Sequence, residues 1–417
     1  IKMKFFINSY FGDNQSIGLL SHIKKRLPYG MDDQWMVFSH YTERGWTVDN
    51  LWHIFTDFYG GQYAPLAFLS YLVLYAGFGY DPFYFHMFSL LLHIGCVCLV
   101  WKLISSLLRV HGGVSEKQIL YVNFITTLLF AVHPINVEAV AWISALKVLL
   151  YAFFYLLGLL CYLRYIRTSK IFYYVLTIGC FLCSFWGKEQ AVTFPLALLI
   201  VDWFTNRNMK NLEVWSEKMS FLIMAFFFGI ITVLSQGKGP YEMIFPLYQR
   251  LLFGCFALVE YITKSLLPVN LNFFYPFPIV LGEEPPLHYY LYPVVLLFLM
   301  GWIIAYRNNR YLVFGVLLFL VNLLFSIHLF NMSRHAIVAD RYMYLSYVGI
   351  AFLIANGIWW LRKRLSYFKA ALVFLFFYCF FLSVYTFHYT KKRENTTMVK
   401  KYTKEVLEKR LNGSNHL

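Results

Sequence analysis

The sequence predicts an all-α protein that crosses a membrane many times. Hydrophobic residues make up 59% of the 417 residues and charged residues only 14%, against about 25% charged in an ordinary soluble protein. The apolar residues gather in runs of about 18 to 25, the length that crosses a hydrocarbon core of about 30 Å. We expect about ten spans, at 84–108, 119–132, 147–164, 171–187, 190–204, 219–235, 288–305, 311–330, 342–361 and 368–389.

The net charge of +15 is carried mainly by short basic links between the apolar runs. This placement follows the excess of Lys and Arg in cytoplasmic loops of membrane proteins, and it argues against a nucleic-acid partner. The links that we interpret as cytoplasmic contain Lys102, Arg109, Lys117, Arg164, Arg167, Lys170, Arg207, Lys210, Lys218, Arg307, Arg310, Arg362, Lys363, Arg364 and Lys369. Because the opposite links are poor in basic residues, their ionisable groups are candidates for a functional site.

One apolar run, at 245–267, breaks this alternation. It carries Arg250, Glu260 and Lys264, which are costly in lipid. Counting it as a span would also put the later basic links on the wrong side. We therefore expect an interfacial or re-entrant helix on the outer side.

The chain divides into three parts. Residues 1–82 form an outer-side loop with an acid pair and interfacial helices, 83–390 form the transmembrane bundle, and 391–417 form a basic tail. Since no span precedes the acid pair, we expect a first span upstream of this chain. The seven cysteines lie mostly in apolar runs and lack the spacing of a metal site.

Asp32 and Asp33 form the acid pair, in a segment that precedes every run long enough to span. A carboxylate there is a candidate general base for a hydroxyl acceptor. Two adjacent carboxylates can instead share a divalent metal ion, and the sequence does not choose between these roles. A turn or a solvated patch without chemistry is the alternative. The sequence indicates no other cofactor.

Residues 131–142 read AVHPINVEAVAW. The proline ends one span, so His133 and Glu138 lie at a helix end beside an outer cavity. There they are candidates to bind a phosphate or a hydroxyl. The alternative for His133 is a histidine satisfied by the local backbone.

Two further motifs place cations on the outer side. Lys188 and Glu189 stand between two spans with almost no loop. Lys188 is therefore a candidate phosphate ligand, and a local ion pair is the alternative. Arg341 follows Asp340 at the entry to a span, where a guanidinium suits phosphate oxygens. Snorkelling beside a tyrosine belt is the alternative there.

The order of these motifs resembles that of a known family. After the acid pair come Tyr-x-Pro-Leu at 63–66, Phe85-His86 with His93, the stretch 131–142, Lys-Glu-Gln at 188–190, NLNFFYP at 270–276 and DRYMYL at 340–345. This order is similar to the membrane portion of the transmembrane and tetratricopeptide-repeat O-mannosyltransferases and their bacterial relatives, over about residues 29–350. These are integral-membrane glycosyltransferases of the GT-C type, which use polyprenyl-phosphate sugars.

The resemblance implies a GT-C-like helix bundle with a catalytic carboxylate at Asp32 or Asp33. It also implies that Arg341, Lys188 and His133 line the site of the donor phosphate. Supporting residues in the same motifs are Glu138, Glu189, Tyr63, His86 and Asp340.

The sequence departs from the family pattern in three places. Ala64 stands where the family usually has Arg, and Ser89 replaces a common Asn. The tail shows no tetratricopeptide pattern, so such repeats are not expected to select the acceptor here.

The function hypothesis is a membrane enzyme that moves one sugar from a polyprenyl-phosphate donor to a hydroxyl, with a protein Ser or Thr as the expected acceptor. We expect it in a bacterial inner membrane or an endoplasmic-reticulum-type membrane, with membrane lipid around it and the site on the extracytoplasmic face. Transfer to a lipid or polysaccharide is the first alternative. A transporter or flippase for a lipid-linked sugar and a non-catalytic scaffold are the others.

Overall fold

The protein folds almost entirely into helices. The computed structural model describes residues 33–236, 245–272, 274–329 and 336–394, so Asp32 and the tail beyond residue 394 lie outside the described residues. The α-helices are α1 Asp33–Met36, α2 His40–Glu43, α3 Val48–Thr56, α4 Pro65–Phe78, α5 Pro82–His111, α6 Glu116–Val132, α7 Val137–Ala141, α8 Leu146–Thr168, α9 Ile171–Gly187, α10 Phe194–Phe204, α11 Leu212–Gln236, α12 Leu247–Leu266, α13 Leu291–Ala305, α14 Arg310–Leu323, α15 Met343–Trp360 and α16 Leu365–Glu394. Short 3-10 helices join them at Pro134–Asn136, Ile143–Ala145, Glu189–Thr193, Leu287–Tyr290, Asp340–Tyr342 and Leu361–Lys363.

Long apolar helices confirm the predicted fold class, an all-α polytopic membrane protein. In the described part of the chain, 6 helical segments are long and apolar enough to cross a membrane, or 7 if the bent pair α6 and α7 forms one span. The 6 segments are Pro82–His111, Ile143–Thr168, Leu212–Ser235, Leu287–Ala305, Asp340–Lys363 and Leu365–Lys391. The predicted spans at 171–187, 190–204 and 311–330 form the shorter helices α9, α10 and α14.

The centre of the bundle is the segment Ile143–Thr168. Of its most apolar stretch 78% is buried, against 6% for the peripheral segment Leu287–Ala305. A helix that is apolar on all sides requires either protein or lipid around it. The central helix has protein on its faces and buries tyrosines such as Tyr155 and Tyr162 completely. The peripheral helix exposes its apolar side chains, as a lipid-facing helix does.

The predicted interfacial run forms α12, which carries all three of its charged residues. It is absent from the described helices that are apolar enough to span, so its place at the interface stays a prediction. A two-stranded antiparallel pair follows, β1 (Tyr275–Pro276) with β2 (Ala336–Val338). It brings the chain after α12 beside the segment that enters α15.

Two glycines allow α14 and α15 to pack backbone to backbone. A Cβ added at Gly349 would lie 2.5 Å from the carbonyl oxygen of Gly315 and 2.7 Å from the backbone nitrogen of Phe319. Small residues at such crossings are typical of membrane helices, because close approach of the backbones supplies the packing energy.

A buried ionic cluster closes the opposite end of α8 from Ser144. The Tyr162 hydroxyl lies 2.8 Å from each oxygen of the fully buried Asp202 carboxylate. Lys218 Nζ lies 2.5 Å from Asp202 Oδ2 and 3.0 Å from Glu217 Oε2, and Arg207 bonds Glu217 at 2.6 and 3.0 Å. Two acids thus face two bases, as buried charges require. Arg207 and Lys218, which the sequence pattern assigned to a cytoplasmic basic link, are paired inside the protein.

The helix crossing generates a stability prediction. Gly349→Ala is expected to destabilise the protein by about 1–3 kcal/mol, because the methyl group would overlap backbone atoms that cannot move aside. Gly357→Ala in the same helix is the matched control, since nothing lies within 4 Å of its added Cβ and Ala favours a helix by about 1 kcal/mol. Thermal unfolding of the detergent-solubilised variants measures both. Equal unfolding midpoints for the two variants would contradict the contact.

Candidate active site

A break in the bent span α6–α7 builds the first part of the site. We call residues 133–145 the kinked segment. The two helices meet at 50°, because Pro134 cannot continue the hydrogen bonding of α6. His133 ends α6, and its Nδ1 accepts the Ile135 N–H at 3.3 Å. Its ring lies 4.2 Å from the ring of Tyr347 in α15. His133 thus makes the local backbone contact that the sequence left as its alternative role.

The kinked segment carries Glu138 to Arg341, 203 residues further along the chain. Glu138 is 2% exposed, and its two carboxylate oxygens accept the Arg341 N–H and a guanidinium N–H, both at 2.7 Å. The guanidinium carbon also lies 5.3 Å from the ring of Trp142 and 5.1 Å from that of Tyr342, within cation–π range. The side chain of Arg341 keeps 23% of its surface exposed, so the pair fixes a cation that solvent or a ligand can still reach.

Lys188 also lies beside the ring of Tyr342. Its ammonium is 4.7 Å from the centre of that ring, and the residue is 2% exposed. Gly187 makes this placement possible, because a Cβ there would lie 2.7 Å from the backbone nitrogen of Tyr151 in α8. Glu189 starts the following 3-10 helix and is half-buried. The structure therefore places Lys188 and Arg341 beside one aromatic ring, and their shared role at a donor phosphate stays a prediction.

A second buried acid stands directly before Arg341. Asp340 is 1% exposed and accepts the Tyr275 hydroxyl at 3.0 Å and the Tyr389 hydroxyl at 3.4 Å. Lys264 Nζ lies 4.0 Å from the Asp340 carboxylate and 3.4 Å from Glu260. The sequence noted Lys264 only as costly in lipid, and it gave Tyr275 no role. The Glu260–Lys264 spacing of four residues was the available signal.

Burial sets the protonation of this group of residues. Burial lowers the pKa of the Lys264 ammonium from its usual value, although the carboxylates of Asp340 and Glu260 act in the opposite direction. Burial and the neighbouring Asp340 raise the pKa of Tyr275 well above its usual value. Tyr275 therefore remains a hydrogen-bond donor to Asp340 at all physiological pH values.

Asp33 is anchored on the same kinked segment. It is 5% exposed, and its Oδ1 accepts the Ser144 N–H at 3.0 Å together with the Ser144 hydroxyl. Ser144 stands at the start of the central helix, so the carboxylate binds at the positive end of the helix dipole. Nearby, Lys147 Nζ donates to Gln62 Oε1 and lies 3.8 Å from Met36 Sδ. Asp33 is thus buried and hydrogen-bonded and not solvated, and the chemical role of the acid pair stays a prediction.

Tyr63 and His86 lie on neighbouring elements. The Tyr63 hydroxyl donates to the Phe55 carbonyl at 3.0 Å, and its ring lies 5.9 Å from that of Phe185, close to Lys188 in sequence. Tyr63 therefore joins the segment after the acid pair to the end of α9. His86 is half-buried in the first turns of α5.

The anionic and cationic parts of the candidate site both contact the kinked segment. Ser144, which binds Asp33, is two residues from Trp142, which contacts Arg341, so their Cα atoms are at most about 7 Å apart. In the described residues no group of three or more His, Cys, Asp or Glu side chains is arranged to hold a metal ion. A metal shared by Asp32 and Asp33 stays a prediction, because Asp32 lies outside the described part.

Fold and site together define a polytopic helical membrane protein with a partly buried group of charged residues near the start of its central helix. The comparisons confirm the resemblance to the O-mannosyltransferases. The chain is 32% identical over 189 residues to "Protein O-mannosyl-transferase TMTC2" of Mus musculus, covering 41% of this chain and 21% of that protein. It is 31% identical over 167 residues to the TMTC4 protein of Homo sapiens, covering 35% and 22%. For Tmtc3 of Drosophila melanogaster the identity is 28% over 172 residues, covering 37% and 18%.

These alignments span about a fifth of the length of the curated relatives. No protein-family model matches the chain. No solved structure matches it at a significant level.

The central ion pair generates a second prediction. Glu138→Gln is expected to destabilise the protein by about 3 kcal/mol, because it leaves the charge of Arg341 without its carboxylate partner in a buried setting. The control is Glu116→Gln, which breaks another Glu–Arg pair, with Arg109 at 3.2 Å, whose side chains are 76% and 57% exposed. Exposed pairs contribute about 0–1 kcal/mol. Thermal unfolding in detergent compares the variants, and a midpoint for Glu138→Gln as high as that of the control would contradict this account.

A third prediction concerns the support of Asp33. Gly60 has φ +60°, and a Cβ there would lie 2.6 Å from the indole of Trp35, two residues after Asp33; Gly61 has φ +71°, and its nearest neighbour would be 3.9 Å away. Alanine in the left-handed region costs about 1–2 kcal/mol at both positions. Gly60→Ala should therefore lose clearly more stability than Gly61→Ala, and Trp35→Ala should remove the difference. Unfolding midpoints of the single and double variants test this, and an unchanged difference in the Trp35→Ala background would refute the contact.

Proposed function

We propose that this chain is the membrane part of a glycosyltransferase that moves a mannose from a polyprenyl-phosphate donor to a hydroxyl of a protein. The Glu138–Arg341 pair is the observation that carries the proposal. It joins the two most distinctive motifs of the chain beside Lys188, in a protein whose relatives are named protein O-mannosyl-transferases.

The cations fit a lipid-linked phosphate as leaving group. When the bond between the sugar C1 and the phosphate oxygen breaks, negative charge grows on the phosphate, and fixed cations stabilise that charge. Glu138 holds Arg341 in one orientation through two hydrogen bonds at 2.7 Å, which reduces the reorganisation needed during the reaction. A guanidinium is suited to phosphate oxygens because its N–H donors form a planar fork. Lys188 supplies a second charge next to Tyr342.

A carboxylate of the acid pair serves as the base. It takes the proton of the acceptor hydroxyl while the hydroxyl oxygen forms the new bond to C1, and the lipid phosphate leaves with the electron pair of the broken bond. A single displacement of this kind inverts C1 and needs no acid for the leaving group. Ser144 holds Asp33 through its N–H and hydroxyl, so Asp33 is fixed beside the kinked segment that also carries Glu138.

The proposed side of the membrane is the extracytoplasmic one. The site lies at the start of α8, whereas the basic residues Arg164 and Arg167 lie in its last turns and Lys170 lies just beyond its other end. The excess of basic residues in cytoplasmic links therefore favours an outward-facing cleft. A donor with a long polyprenyl chain would reach this cleft from the outer leaflet.

The fourth prediction tests the acid pair by sugar transfer. In membranes that contain the protein, Asp32→Asn and Asp33→Asn are assayed separately with a radiolabelled polyprenyl-phosphate mannose and a protein acceptor. At least one substitution is expected to lower the rate by about 100-fold or more, as loss of a general base does, while the protein still inserts normally. The control replaces the other adjacent acid pair, Glu283 and Glu284, by Gln; Glu284 accepts the Tyr248 hydroxyl at an exposed site.

The possible results of this assay distinguish the candidate functions of the chain. Wild-type rates in both aspartate variants would refute the acid pair as the base. A wild-type protein that moves the lipid-linked sugar across the membrane without forming a new glycosidic bond would refute the transferase itself. Transfer to lipid or polysaccharide in place of protein would refute the proposed acceptor while leaving the chemistry intact.

A further inference from the structure

We propose that Thr386, near the end of the last helix α16, is a positioning residue of the candidate site, because its hydroxyl holds the kinked segment that carries Glu138. This inference rests on the proposed function. The resemblance to the O-mannosyltransferases ends near residue 350, so its motifs give Thr386 no role.

One turn of α16 differs from the rest of that helix. The helix is mostly lipid-facing, since only 17% of its most apolar stretch is buried. In residues 385–389, which we call the clamp turn, three side chains instead reach three other parts of the chain. The Tyr385 hydroxyl accepts the Leu271 N–H at 3.3 Å, the Thr386 hydroxyl donates to the Val132 carbonyl at 2.8 Å, and the Tyr389 hydroxyl donates to Asp340 at 3.4 Å.

The hydrogen bond of Thr386 departs from the usual pattern of helical hydroxyls. A Ser or Thr inside a helix commonly donates to the carbonyl four residues earlier in the same helix. Ser383 and Thr390, on either side of Thr386, both do this, at 2.8 and 2.9 Å. Thr386 donates to the end of α6 instead, so its hydroxyl ties two helices together.

The kink explains why the Val132 carbonyl needs a side-chain donor. In a continuous helix the carbonyls of residues 130–132 would accept the N–H groups of the next turn. Pro134 has no N–H, and the N–H groups of the two following residues bond His133 instead. A carbonyl left unpaired within a membrane is costly. Side chains lie at all three carbonyl oxygens: Asn136 Nδ2 at 2.7 Å from Phe130, His93 Nε2 at 3.4 Å from Ala131, and the Thr386 hydroxyl at 2.8 Å from Val132.

The clamp turn also packs against α7, the short helix that contains Glu138. Val137 and Ala141 lie one turn apart on α7, and they share an apolar cluster with Tyr385 and Tyr389. Val137 directly precedes Glu138 in the chain. The clamp turn therefore fixes the start of the kinked segment through a hydrogen bond and its next turn through packing.

This placement has a consequence for the proposed reaction. Glu138 orients the Arg341 guanidinium through hydrogen bonds of 2.7 Å, and small errors in such an orientation slow a reaction strongly. Charge on the leaving phosphate grows in the transition state, where a fixed cation has its largest effect. Loss of the Thr386 hydroxyl should therefore lower kcat more than it raises the KM for the donor.

The experiment compares Thr386→Val, which removes the hydroxyl and keeps the shape, with Thr386→Ser, which keeps the hydroxyl. Thr390→Val is the matched control, because the Thr390 hydroxyl bonds within its own helix. Sugar transfer is measured per amount of folded protein, so that a loss of stability alone leaves kcat unchanged. We expect Thr386→Val to lower kcat by about tenfold with the donor KM within about threefold, and Thr386→Ser and Thr390→Val to stay near wild type.

Hydrogen–deuterium exchange supplies a readout that needs no activity. Amide exchange reports how often a segment opens, so Thr386→Val should speed exchange in residues 133–145 by about tenfold. Thr386→Ser and Thr390→Val should leave that exchange unchanged. If Thr386→Val does not fold, the smaller Thr386→Ala takes its place in both measurements.

The inference fails if the variant without the hydroxyl keeps wild-type kcat, or if its kinked segment exchanges no faster than that of Thr390→Val. It also fails if Thr386→Ser is as slow as Thr386→Val, because the hydroxyl would then not be the cause. A wild-type protein that transfers no sugar contradicts the proposed function alone. In that case the exchange of residues 133–145 still decides whether Thr386 holds the kinked segment.

Discussion

The ion pair between Glu138 and Arg341 is the contact on which the candidate site depends. It joins a helix break after α6 to the start of α15, two elements more than 200 residues apart in the chain. A carboxylate and a guanidinium buried at this depth stabilise each other only if their hydrogen bonds are made, and here both bonds are 2.7 Å. Because the pair fixes Arg341, it also fixes Tyr342 and, through that ring, the position of Lys188. The arrangement of these three residues therefore depends on one buried contact.

The two ends of the central helix accommodate buried charged side chains in different ways. At the end with Tyr162, two acids and two bases form a closed cluster around Asp202. At the other end, the charges are spread over several broken helices, and Arg341 keeps part of its surface exposed. Irregular backbone at membrane depth is tolerated where protein or a polar cavity surrounds it. A closed cluster suits a structural role, whereas partly exposed charge beside broken helices suits binding.

The sequence predicted the elements better than the contacts. Long apolar runs and basic links were sufficient for the fold class, because hydrocarbon thickness sets the length of a span. Glu138, Lys188 and Arg341 were predicted as site residues because ionisable groups are rare in such links. The contact between Glu138 and Arg341 was not predictable, because a contact between residues 203 positions apart leaves no local pattern in the sequence. Ser144 was missed for the same reason, as a small residue in an apolar stretch. Lys218 shows another limit of prediction from the sequence. It was assigned to a basic link between spans, and the structure buries it fully.

At the starts of two helices, carboxylates of the protein itself accept the backbone N–H groups. Helix starts carry unpaired N–H groups and partial positive charge, and they often bind anions directly. Here the protein's own carboxylates use those positions: Asp33 accepts the Ser144 N–H at the start of the central helix, and Glu138 accepts the Arg341 N–H before α15. In the proposed function, a donor phosphate would therefore meet the side-chain cations Arg341 and Lys188 and not backbone N–H groups.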